Sequence, residues 1–287
     1  MKKPFTKILV PLNFNRNTHL ALQKAVQVAN EFSCDIHLLH AQLPVTVIPF
    51  LYDGHLSGSL FQAPLNRSLE KLRELAGFYA GRLHPGLQIT VSAETGSWQE
   101  MTRKTIIAEH IDLVLMPRRN RKIWGALIHK INIIKLAQQT QCPVLTVNRQ
   151  FNIQQLRNIL VPVGEKLPVR KLSLATYLAR KRKGCIHLVS SGARNRQSEK
   201  KQSRSIIRAY QILSDYTTVN LHVNPEPSEP GMQSTLSTAR NMKADLIVVD
   251  CGNESRPAGW LKKLTGRYLY KESNIPVLTV APMNFFT

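Results

Sequence analysis

Short runs of branched and leucine-rich residues alternate along this chain with stretches whose apolar positions recur every three to four residues. "KILVP" at 7–11 is followed by "THLALQKAVQVANEF", where Leu20, Ala21, Ala25, Val28 and Ala29 share one side of a helix. The same alternation places strands near 7–11, 35–40, 87–93, 112–116 and 143–147, then near 158–162, 185–190, 217–223, 245–249 and 276–280. Helices are expected near 17–32, 67–83, 97–109 and 124–140, and again near 168–183, 196–214, 231–243 and 260–272. Strands that are apolar throughout need cover on both faces, which points to an α/β architecture with parallel sheets and helices on either side.

The pattern also repeats. "KILVPL" at 7–12 returns as "NILVPV" at 158–163, "DIHLLH" at 35–40 as "CIHLVS" at 185–190, and "DLVLM" at 112–116 as "DLIVV" at 245–249. "CPVLTV" at 142–147 returns as "IPVLTV" at 275–280. In both copies the Asp that opens the fourth run lies 30 positions before the residue preceding the closing Pro. Two copies of one domain, 1–149 and 150–287, account for this economically. The first copy is longer by "LPVTVIPFLYDGHLSGSLFQAP" at 43–64, which has no clear period and reads as a loop folded over the domain edge.

Composition adds three restrictions. No apolar run approaches the roughly 18 residues that span a bilayer, and Asn13, Asn15 and Arg16 interrupt the first apolar run, so a cytoplasmic protein without a membrane partner is expected. Cys34, Cys142, Cys185 and Cys251 have no C-x-x-C spacing, which argues for reduced thiols and against a zinc knot. The formal charge is +21, with 39 Lys and Arg against 18 Asp and Glu, and residues 1–150 hold 18 of those bases and 9 of those acids. An excess shared by both halves favours anionic partners in general and says nothing about fold.

The two "ILVP" openings, the long first helix, "IHLLH" and "IHLV", "DLVLM" and "DLIVV", and the closing "CPVLTV" and "IPVLTV" together resemble the universal stress protein family in its tandem form. The resemblance implies two open parallel five-stranded sheets of Rossmann-like order 3-2-1-4-5. It also implies that the two fifth strands pair antiparallel, making an intramolecular pseudo-dimer that removes two sheet edges. A ligand in such a sheet sits at the topological switch point, beyond the carboxyl ends of strands one and four. That position collects Asn13, Arg118, Arg119, Asn120 and Arg121 in the first copy, and Gly252, Asn253 and Ser255 in the second.

ATP-binding relatives carry an acid after the first strand and a G-x-x-G-x9-G-[ST] pattern after the fourth. Its glycines let backbone N–H groups approach phosphate. Counted from the shared Asp, this chain has Pro117, Asn120, Lys130 and Ile131 at those places in the first copy. The second has Asp250, Asn253, Lys263 and Leu264. The acid is replaced by Asn13 and by Gly164. Gly252, Gly259, Thr265 and Gly266 leave an altered cradle open in the second copy, although Asp250 would repel phosphate there. Arg118, Arg119, Arg121 and Lys122 offer a side-chain grip on a phosphate, and the simpler alternative is a solvated basic loop.

Other constellations read as structure. "ARKRKG" at 179–184 fits a helix C-terminus with Gly184 as its cap, and "RNRQSEKKQSRSIIR" at 194–208 fits a solvated helix face. His37 and His187 occupy equivalent places in the second strands and read as features of the fold, while His40 lies nearer the crevice. Cys142, before Pro143, reads as inert packing. No nucleophile is paired with a base. The expectation is a non-enzymatic stress-response binding or regulatory module with degenerate nucleotide sites in both copies and no required cofactor. Its partners would be a small anionic ligand or nucleotide and another protein, with further self-association open and nucleic acid not expected. The alternatives are an ATP-binding, slowly hydrolysing protein with an altered phosphate site, and an anion or nucleic-acid binder driven by net charge.

Overall fold

The computed structural model describes residues 3–43, 57–117, 131–191, 196–223, 232–251 and 274–282, with side chains left aside at 57–63 and 232–234. By internal contacts the chain divides into two compact units, Met1–Asn132 and Ile133–Thr287. The sequence repeat instead turns over near 149/150, so the last described helix and strand of the first copy count with the second unit.

The first unit contains β1 (Lys7–Pro11), α1 (Thr18–Phe32), β2 (Asp35–Gln42), α2 (Ser57–Ala80), β3 (Ile89–Thr95), α3 (Trp98–Ala108) and β4 (Leu113–Pro117). Its strands lie in the order β3-β2-β1-β4, all parallel where paired. Ile8, Leu9 and Val10 are fully buried, with α1 packed on β1. The shared Asp acts as a structural clamp. Asp112 Oδ2 accepts from the Thr6 backbone N–H and hydroxyl at 2.7 Å each, and Oδ1 from Lys7 N–H at 3.2 Å. One carboxylate thereby ties the start of β4 to the start of β1.

The second unit contains α4 (Ile133–Thr140), β5 (Val144–Val147), β6 (Asn158–Val163), α5 (Val169–Lys181), β7 (Cys185–Ser190), α6 (Arg196–Tyr216), β8 (Asn220–Val223), α7 (Met232–Asn241), β9 (Leu246–Asp250) and β10 (Val277–Val280). The order β5-β10-β9-β6-β7-β8 contains the second copy's 3-2-1-4-5 arrangement as β8-β7-β6-β9-β10. Asp245 repeats the tie of Asp112, accepting from Arg157 and Asn158 N–H at 2.9 Å each. β5 meets β10 antiparallel, with Leu145 opposite Leu278, so the closing strands of the two copies pair as expected. Thr146 and Thr279 are fully buried in this pairing, and Thr146 Oγ1 donates to the Val277 carbonyl at 3.2 Å.

Two expectations change. The helix placed at 67–83 runs Ser57–Ala80 and takes in part of the stretch read as a loop at 43–64; residues 44–56 lie outside the described set. Pro64 sits inside that helix, because proline's fixed φ is itself helical and its cost is one lost N–H bond and local crowding. Gly184 is not the left-handed cap of α5: Lys183 adopts φ +50°, as Ser33 does at φ +55° after α1. Gly184 is required instead by close approach, since a Cβ there would lie 2.9 Å from the Arg157 carbonyl oxygen. The helix expected at 260–272 and the first half of the one expected at 124–140 lie outside the described residues.

Candidate functional site

In the first unit β1 and β4 end side by side at Pro11 and Pro117. A notch of about 10 Å³, room for roughly one water, lies beyond them. Pro11, Leu12 and Pro117 form its strand side, and Asn13, Asn15, Asn17 and Thr18 its helix side. The turn between β1 and α1 is held by its own amides: Asn15 Oδ1 accepts from Asn17 N–H at 2.8 Å, and the Asn15 carbonyl from Thr18 N–H at 3.0 Å. α1 has no side-chain cap and no acid in its first turn, so its dipole meets no charge of its own there. Thr18 Oγ1 is buried without a hydrogen-bond partner among the described residues.

An aromatic ledge adjoins the notch. Phe14 takes the left-handed conformation at φ +52°, and its ring stacks on His40 at a 4.5 Å centroid distance and 28° between planes. His40 Nδ1 lies 2.8 Å from the Leu12 carbonyl oxygen; a carbonyl only accepts, so Nδ1 carries the proton. Trp98 meets His40 edge-on at 5.4 Å, and Lys71 Nζ stands 5.7 Å from the Phe14 ring centre. His40 is therefore a positioned part of this wall. His37, three residues earlier, is buried on the sheet between Thr90 Oγ1 at 2.8 Å and Ser92 Oγ at 2.9 Å. Burial holds its pKa below the ordinary value, with Glu109 countering and Lys7 adding to the effect.

The equivalent place in the second unit is occupied by the protein itself. Lys171, on the first turn of α5, is fully buried, and its ammonium donates to the Pro162 carbonyl near the end of β6. The same ammonium lies 3.2 Å from Asp250 Oδ2 at the end of β9. One cation thus bridges the carboxyl ends of the two strands that flank the switch point. Aligned on the left-handed residues Ser33 and Lys183 that end the two helices, the repeat places Ala21 where the second copy has Lys171; counted from the shared Asp, it places Pro117 where the second copy has Asp250. Beside this plug, Ser198 donates to Glu165 Oε1, Ser205 to the Glu165 carbonyl at 2.7 Å, and Ser190 to Gln202 Oε1 at 2.5 Å. Where the first copy has the Phe14–His40 stack, the second has a polar network on the inner face of α6.

Of the residues selected from sequence, Asn13 lines the first notch. Arg118, Arg119, Asn120 and Arg121, and Gly252, Asn253 and Ser255, have no described side-chain surroundings, since 118–130 and 252–273 lie outside the described residues. Lys171 escaped the sequence reading, although a signal existed: a lysine at a helix position where the other copy carries alanine, and an Asp where the other copy carries proline. Among the described residues no cluster of three or more His, Cys, Asp or Glu is placed to hold a metal, and no helix is long and apolar enough to cross a membrane.

Parallel strands, a switch-point crevice, and closing strands of the two repeats that pair with each other define an α/β protein built from tandem copies of one unit. The universal stress protein family matches residues 4–148, and the chain belongs to that family. The chain is similar to a universal stress protein from Archaeoglobus fulgidus DSM 4304, with 15% identity, 97% of each chain covered and a TM-score of 0.66. It is also similar to a functionally unknown protein from Pseudomonas aeruginosa PAO1, with 20% identity, 97% of this chain and 93% of the other covered, and a TM-score of 0.57. At these identities the likeness concerns the fold. No curated protein matches the chain significantly.

Proposed function

We propose that this universal stress protein is a non-catalytic binding or regulatory module whose nucleotide sites are degenerate in both copies. The observation that carries the reading is Lys171: its buried ammonium, held by the Pro162 carbonyl and Asp250, fills the second copy's crevice with an internal charge. A nucleotide there would have to displace an ion pair made by a fully buried lysine, which is costly because each partner would be left uncompensated. In the first copy, Pro117 stands in place of the first loop glycine and Asn13 in place of the acid. Neither change favours a backbone phosphate cradle.

A second reading applies to the first copy alone. The uncapped start of α1, the amide-lined notch and the Phe14–His40 ledge favour a small anionic or aromatic ligand there. For such a ligand the sequence after β4 supplies Arg118, Arg119, Arg121 and Lys122. Thermal-shift measurements with ATP, AMP, inorganic phosphate and a polyanion at two salt concentrations separate the readings. The degenerate-site reading expects no saturable stabilisation by ATP or AMP at micromolar concentration. Stabilisation by ATP that Asn13→Ala abolishes would replace it with a first-copy nucleotide site.

A further inference from the structure

We infer that the outward face of α6 is a contact surface for the phosphate backbone of a nucleic acid. Arg196, Lys200, Arg204 and Arg208 recur every fourth residue along one ridge of this helix, with Lys201 beside them, and all five are exposed. At 1.5 Å rise per residue the four cations are about 6 Å apart along the axis and span about 18 Å, comparable to the spacing of successive phosphates on a strand. None of the five has an acidic partner within ion-pair distance among the described residues, and Glu199 is the one acid between 196 and 208.

The fold does not demand this charge. α2 occupies the same place in the first copy, between the second and third strands, and over 64–80 it mixes Arg67, Lys71 and Arg73 with Glu70 and Glu74. That stretch of α2 has three bases to two acids, whereas α6 has five bases to two acids, Glu199 and Asp215, with Asp215 beyond the ridge, so the excess on α6 is a property of this surface. Ile207 and Tyr210 are 57% and 42% exposed on or beside the ridge, which gives it the apolar and aromatic contacts that sequence spacing alone did not reveal. A nucleic acid fits better than an anionic membrane. An interfacial helix must insert a continuous apolar face; that of α6, with Ile206, Ala209 and Leu213, is buried, and the exposed Ile207, Tyr210, Ile212 and Tyr216 are spread around the helix at about 100° per residue and form no such face. This inference is independent of the crevices and revises the expectation that nucleic acid is not a partner.

The test is fluorescence anisotropy of the full chain with labelled single-stranded DNA, RNA and a duplex, each about 20 nucleotides long, from about 50 to 200 mM salt. A site using these cations should show log K falling against log salt with a slope of about −3, since each single-strand phosphate contact contributes about −0.7. The variant Arg196→Gln, Lys200→Gln, Arg204→Gln, Arg208→Gln should lose about tenfold or more in affinity at the lower salt, with a slope shallower by about 2 to 3. A second variant removes the same charge elsewhere, at exposed Arg67, Arg73, Lys104 and Arg149, and should lose far less. Absence of binding at the lower salt, or equal losses in the two variants, would overturn the inference. So would vesicles rich in anionic lipid if they bind the wild type in a ridge-dependent way while the oligonucleotides do not.

Discussion

Breaking the Lys171–Asp250 pair from its two ends should have unequal consequences. Asp250→Ala leaves the ammonium of Lys171, which has 0% side-chain exposure, in the interior without its carboxylate and still donating to the Pro162 carbonyl. Removing one partner of a buried pair costs about 3–5 kcal/mol, and the lower end applies because that carbonyl bond remains. Lys171→Leu leaves Asp250, whose side chain is 21% exposed and can recruit water. Its cost should be about 1–3 kcal/mol. The double variant Lys171→Leu, Asp250→Ala replaces the pair with apolar side chains, as the first copy has with Ala21 and Pro117, and should lie within about 1 kcal/mol of wild type. Urea denaturation followed by far-UV circular dichroism reads all four proteins. If the single costs add in the double variant, or if Lys171→Leu proves the more damaging single change, the ammonium is not held as described.

Two further outcomes follow from local geometry. Gly184→Ala places a Cβ 2.9 Å from the Arg157 carbonyl, which must move together with the start of β6; a loss of about 1–3 kcal/mol is expected in the same denaturation assay. The pH dependence comes from His37 and His187, both held below the ordinary pKa of 6.5 by burial, with His222 adding to the effect at His187. A lowered imidazole pKa means that the unfolded chain binds the proton first. Stability should therefore be complete above about pH 7 and fall as pH drops through the ordinary histidine range, and His37→Asn should flatten part of that fall in a denaturation series from about pH 7.5 to 5.5.

The repeat made most of the architecture legible. Copied "ILVP", "DL" and "PVLTV" runs mark the strands whose order and parallel pairing the structure displays, and the antiparallel meeting of Leu145 with Leu278 was implied by family resemblance. The start of α2 was hidden because Gly58, Pro64 and their neighbours carry no helical period, while the register of the later turns holds the helix together. Gly184 was assigned the wrong role because a helix-ending glycine and one required by close backbone approach look alike in sequence. Lys171 went unnoticed for a different reason: its partners, Pro162 and Asp250, are brought to it by the parallel neighbours β6 and β9, and chain spacing does not show that meeting. The site itself was legible as an address and less so in content, since only Asn13 among the selected residues falls within the described set.

Equilibrium dialysis of the full chain against labelled ATP with magnesium tests the proposed degeneracy of both nucleotide sites. Degenerate sites predict no saturable binding in the micromolar range, with residual association that vanishes as salt rises from about 50 to about 200 mM, as charge screening requires. One ATP per chain, bound at micromolar concentration and retained at the higher salt, would contradict it.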